Sequence, residues 1–212
     1  MALNPKSVLI EEKWNCYSHA LGILLSLLGL VFFLQKDLNT IPYLLGSIIV
    51  YSISLILLFT ASTIYHGVLN PKLKKQLRIL DHISIYYLIA GTYTPVCLTI
   101  LSESKGWLLF YLVWGIALFG TVLKLFFTGR FEVFSLVLYG IMGWLIVLDY
   151  NFLSESISNR GLFLLGLGGA FYTIGILFYA NKKIPYNHLI WHFFVLGGAV
   201  SHWFMILIAI VS

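Results

Sequence analysis

The chain has 212 residues, 60% of them hydrophobic and only 10% charged, with a mean hydropathy of +0.94. A soluble domain carries about 25% charged residues, so a water-soluble globular protein is excluded and an integral membrane protein is expected. The net charge of +5 does not point to nucleic acid, because the basic residues are confined to short breaks between apolar runs.

Glu11 and Glu12 precede the first apolar run and further runs follow it, which is not the pattern of a cleaved signal. Seven stretches of about 20 residues are each long enough for a hydrocarbon core about 30 Å thick. They lie near 15–35, 43–67, 79–101, 107–127, 132–150, 161–181 and 187–211. The first carries His19 about one turn in and is followed by the break KDLNTIP, 36–42. The second closes with Ser62 and His66, and the third opens with Asp81 and His82. Within the third, Pro95 of GTYTP is expected to kink the helix. Lys124 ends the fourth and is expected to snorkel to the near membrane face. The fifth and sixth lead to the break NKKIP, 181–185, and the seventh holds His188, His192 and His202. With breaks this short, neighbouring helices should be antiparallel. No linker, low-complexity run or repeat divides residues 1–212, so a single domain is expected. Cys16 and Cys97 fall near opposite ends of their helices and are not expected to pair, which disfavours a disulfide-stapled secreted protein.

Lys and Arg are enriched in cytoplasmic loops. Ten of the 13 (Lys6, Lys13, Lys72, Lys74, Lys75, Arg78, Lys124, Arg130, Lys182 and Lys183) share one side, and three (Lys36, Lys105 and Arg160) the other. This expects an all-α, seven-transmembrane helix bundle with its N-terminus cytoplasmic and its C-terminus outside. His19, His66, Asp81, His188 and His192 then all reach the cytoplasmic end, although none of them was used to derive the orientation.

Residues at i and i+4 share a helix face, so His188 and His192 can reach one ion, and Ser62 stacks with His66. Three neutral imidazoles with one open position make a catalytic zinc arrangement, whereas structural zinc is closed by four ligands, often thiolates. No thiolate is suitably placed. Asp81 would hold or deprotonate the activated water, and Ser62 would supply a hydrogen bond that fixes a ligand. Intramembrane ionisable groups are rare and functional by default. His202 lies ten residues past His192, about 15 Å along the axis, too far to join the same ion, and reads as a packing or cavity residue. His82 reads as interfacial. Gly197, Gly198, Ala199 and Ser201 are expected to permit close helix packing, and most aromatic residues to face lipid or the interface.

The ordered set E-x-x-N-x-x-x-H (Glu12, Asn15, His19), S-x-x-x-H (Ser62, His66), Asp81 fifteen residues on, and H-x-x-x-H (His188, His192) resembles the hemolysin III branch of the progestin and adipoQ receptor family. The resemblance spans essentially the whole chain and extends to GTYTP and His202. The long N-terminal extension of the eukaryotic receptors is absent, which favours a bacterial-type member in the cytoplasmic membrane. The resemblance implies an intramembrane zinc held by His66, His188 and His192, with Asp81 beside the water that zinc activates. Adiponectin receptors of this family are linked to hydrolysis of ceramide's amide bond, and the superfamily includes alkaline ceramidases. Bacterial members carry the hemolysin name from a reported cytolytic effect and are associated with membrane-lipid homeostasis.

The leading expectation is therefore a zinc-dependent intramembrane hydrolase of a membrane-lipid amide or ester bond, with Asp81 and Ser62 as its catalytic-site residues and no nucleic-acid partner. The alternatives are a pore-forming, cytolytic protein or transporter, and a sensor or receptor with structural zinc. A permeation path spreads polar groups through the membrane, with sites near its midplane, whereas here they gather at one end. A retinal protein is excluded, since residues 187–212 contain no lysine.

Overall fold

The structure is a computed structural model that describes residues 5–211. Ser212 and the side chain of Lys6, both part of the expected orientation, lie outside what is described. Helix α1 spans Pro5–Leu34, α2 Leu44–Gly67, α3 Pro71–Pro95 and α4 Gly106–Phe127. Then come α5 Glu132–Trp144, α6 Tyr150–Ser156, α7 Asn159–Ala180 and α8 Asn187–Ile206. Among the described residues seven spans are long and apolar enough to cross a membrane, α5 and α6 together making the fifth, Glu132–Ser156. The protein is a multi-pass integral membrane protein.

Several helices outrun their apolar stretches for identifiable reasons. Helix α3 starts at Pro71, two turns before the expected 79, because Asn70 caps it and accepts from the Lys72 and Leu73 amides at 3.0 and 3.2 Å. Proline at the first position adds no unsatisfied amide. A charged turn thus becomes helical and brings Lys74 and Arg78 over the end of the bundle. After Pro95 the helix widens into a π-turn, Val96–Ile100, which is how this chain accommodates a proline that cannot donate to the ladder. The fifth span does not stop near 150: a 3₁₀ turn, Leu145–Asp149, joins α5 to α6. Asp149 at that turn is buried and accepts from Ser104 Oγ and the Lys105 amide, both at 2.9 Å, tying the turn to the α3–α4 connection.

Helices α1, α2, α3 and α4 pack in sequence order, α8 packs on both α7 and α1, and α5 touches α3, α4 and α7. Phe33, Ile48, Tyr51, Phe59 and Tyr86 form the buried centre. Leu24, Leu28, Val31, Phe126 and Leu177 are exposed. In water such a surface would be an aggregation liability; against lipid tails it costs nothing.

Close approach of α7 and α8 rests on a reciprocal exchange. His202 of α8 lies over Gly168 of α7, where an added Cβ would stand 2.2 Å from the imidazole. Tyr172 of α7 lies over Gly198 of α8, where an added Cβ would stand 2.6 Å from the ring. Gly197 lies against Phe171 in the same way. Small residues admit large rings, as expected for the small-residue run of α8.

Lys124 corrects an expectation. It does not snorkel but is fully buried, with Nζ 3.5 Å from Glu132 Oε2. Glu132 opens α5 only a short turn after α4 ends, so the counter-charge is delivered inside the bundle. Arg78 reaches the other Glu132 oxygen at 3.1 Å.

Candidate metal centre

Two helices deliver one side-chain cluster. His66 ends α2, while His188 and His192 occupy successive turns at the start of α8. Each offers a ring nitrogen, and the three nitrogens lie within 4.8 Å of one another. The ring centroids form a nearly equilateral triangle, with sides of 4.9, 4.9 and 4.8 Å. Among the described residues this is the one set of three or more His, Cys, Asp or Glu groups placed to hold a metal ion.

The fit to a metal rests on where the remaining nitrogens go. His66 Nδ1 lies 3.0 Å from Glu12 Oε2, while His66 Nε2 is buried without a partner. A carboxylate only accepts, so Nδ1 carries the proton and Nε2 keeps its lone pair. His192 Nδ1 lies 3.2 Å from the Asn15 carbonyl and 3.2 Å from Ser18 Oγ. The carbonyl again only accepts, so this ring too keeps Nε2 free. Two of the three imidazoles are thus locked in the tautomer a cation requires. All three donors are neutral nitrogens, a set suited to zinc and similar borderline cations.

The second layer comes from α1. Spacings of three and four put Glu12, Asn15 and His19 on one face, and that face covers the cluster. His19 does not join the triangle: it stacks flat on His192, with centroids 3.6 Å apart, and both its nitrogens are buried without partners. The Glu12 and Asn15 contacts were not legible as roles in the sequence, although their motif spacing carried the signal.

Asp81 and Ser62 line one cavity of about 100 Å³ together with His19, His188 and His192. Asp81 stands outside the three-nitrogen set; its Oδ2 is 3.9 Å from His82 Nδ1. Ser62 is buried on the cavity wall. His66 turns its Nδ1 toward α1, where Glu12 accepts. His82 is not interfacial: it is buried, donates from Nδ1 to the Arg78 carbonyl at 2.6 Å, and approaches Glu132 at 3.7 Å. The packing of α5 on α3 encloses it. His202 lines the far part of the cavity and donates from Nε2 to the Leu165 carbonyl at 3.3 Å. Outside the spans, burial pushes the Lys182 ammonium below its usual range, with Glu132 opposing that shift. Its Nζ sits 4.1 Å over the Tyr179 ring, which also packs on His188 and Trp191 at 5.3 and 5.8 Å between centroids.

The cavity is walled on one side by Gly140, Gly143 and Trp144 of α5 and by Gly169 and Thr173 of α7. No atom lies within 4 Å of where a Cβ would stand on Gly140, Gly143 or Gly169. Trp144 is 52% exposed and bridges the gap through a 3.1 Å hydrogen bond from Nε1 to Thr173 Oγ1. A second hollow of about 320 Å³ shares Gly143, Trp144, Gly169 and His202 with the first and reaches the exposed Val147 and Tyr150. The cavity therefore faces the lipid-exposed side of the bundle between α5 and α7.

A sequence model described as haemolysin-III related matches residues 8–203. The chain is 42% identical over 198 residues to the hemolysin-3 homolog of Bacillus subtilis, covering 93% of each chain. It is 39% identical to hemolysin-3 of Bacillus cereus, covering 93% of this chain and 90% of that one. The human monocyte to macrophage differentiation factor is 29% identical over 216 residues, covering 95% of this chain and 85% of that one.

Proposed function

Because the chain belongs to the haemolysin-III-related family, we propose that it is a single-domain, zinc-dependent hydrolase of a membrane-lipid amide or ester bond, working at the cytoplasmic end of the bundle. The observation that carries this reading is the three-histidine triangle, joined by no fourth protein ligand among the described residues, two of whose members, His188 and His192, line a cavity that also holds Asp81 and faces lipid. A metal bound only structurally has no use for an open side or for a nearby carboxylate that does not coordinate.

His66, His188 and His192 would hold the ion. When bound, zinc polarises a carbonyl and lowers the pKa of its water from 15.7 to about 7. Asp81 takes the proton as the carbonyl is attacked and returns it to the departing nitrogen or oxygen, so the carboxylate ends as it began. Ser62, on the same wall, borders the reacting group. The apolar residues Ile85, Leu88, Ile89 and Val195 accept the lipid chain and exclude bulk water. The names of the two Bacillus relatives would also suit a pore-former. Against that stands the gathering of His19, Asp81, His188 and His192 at one end of a cavity whose further wall includes Ile85, Leu88, Ile89 and Val195.

The test is Asp81→Asn in purified protein, read as zinc content and as lipid turnover in reconstituted membranes. Zinc should stay near the wild-type level while turnover falls by a factor of roughly 10² to 10⁴. Lost zinc would make Asp81 a ligand, and unchanged turnover would remove the base and the hydrolase with it.

A further inference from the structure

Glu12 supplies no ligand, yet one of its oxygens is the meeting point of two cations or proton donors. Oε2 accepts from His66 Nδ1 at 3.0 Å and from Lys74 Nζ at 2.6 Å. Lys74 is itself anchored, donating to the Tyr65 carbonyl at 3.2 Å, the residue next to His66. Glu12 is therefore held from α3 and presented by α1 to a ring on α2. Both Glu12 and Lys74 are partly exposed, with 28% of each side chain accessible. A carboxylate at that position is costly to order unless its second interaction is of use.

We infer that Glu12 is the positioning residue of the metal centre, setting the tautomer, ring orientation and donor strength of His66, with Lys74 as the clamp that holds it there. This rests on the zinc reading above. The physical argument is one of charge and direction. Three neutral imidazoles leave a dication uncompensated in a low-dielectric layer. A carboxylate hydrogen-bonded behind one ligand supplies negative charge through the ring without occupying a coordination position. In metal centres built this way, losing the outer carboxylate costs 10- to 100-fold in affinity. Helix α1 thus orients two of three ligands while donating none: Glu12 through its side chain for His66, and Asn15 through its carbonyl for His192.

The experiment uses the full chain in detergent, stripped of metal and titrated with zinc against a chromophoric chelator, with cobalt absorption as a second readout. Wild type, Glu12→Gln, Glu12→Ala and His66→Ala are compared. Glu12→Gln keeps an acceptor but loses the charge and should weaken zinc about 10-fold, and Glu12→Ala should approach about 100-fold. The cobalt bands should shift in Glu12→Gln, and the thermal midpoint of the metal-free protein should stay unchanged. Wild-type affinity in both Glu12 variants, with zinc lost in His66→Ala, overturns this inference alone. So does a loss of affinity matched by an equal loss of metal-free stability, which would make Glu12 a helix tie. Full zinc binding in His66→Ala removes the metal reading and this inference with it.

Discussion

An imidazole in an apolar helix is costly to dehydrate unless both nitrogens are used. His66 uses one on Glu12, and its other is a buried lone pair with nothing opposite among the described residues. His192 likewise uses its Nδ1 on the Asn15 carbonyl. Single replacement of His66, His188 or His192 by Ala should therefore strip most of the zinc, measured as metal per chain. His19→Ala should retain it, because that ring only stacks on a ligand. Full occupancy in all three ligand variants would dissolve the centre. His66, His188, His192 and Asp81 were legible as neighbours from depth alone, since the order of the seven spans puts them in one layer. Glu12, Lys124 and His82 were not. A charged residue at a membrane boundary reads as solvated, and only the tertiary packing reveals that its counter-charge waits inside.

Between elements, the exchange of rings and glycines on α7 and α8 sets how closely these helices approach. Gly168→Ala would push a methyl group into the His202 imidazole, and overpacking of this kind costs about 1–3 kcal/mol. Gly166→Ala, one turn-fraction away, meets nothing within 4 Å and should leave stability unchanged. Unfolding midpoints in mild detergent check the pair; equal midpoints would mean that α7 shifts freely against α8. The count of spans was readable from hydropathy, but several of their ends were not. Hydropathy reports contact with lipid, whereas a helix ends where its backbone runs out of partners. The Asn70 cap and Pro71 carry α3 through a charged turn, and the Asp149 contacts carry the fifth span beyond its expected stop.

For the whole molecule, the charge bias of ten against three predicts that the three-histidine end faces the cytoplasm. In a Cys16→Ser, Cys97→Ser background, a cysteine at Gln76 should resist an impermeant thiol reagent in intact cells, and one at Glu103 should react. The reverse pattern would invert the bundle. The sideways opening between α5 and α7 has a consequence for how any ligand would be counted. A cavity facing the acyl chains equilibrates with the leaflet, not with the water around the cell. Its occupancy then follows the mole fraction of ligand among neighbouring lipids, and bulk molarity drops out of the expression. Inert carrier lipid added at constant protein and constant ligand thus acts as a diluent, and saturation becomes a property of membrane composition.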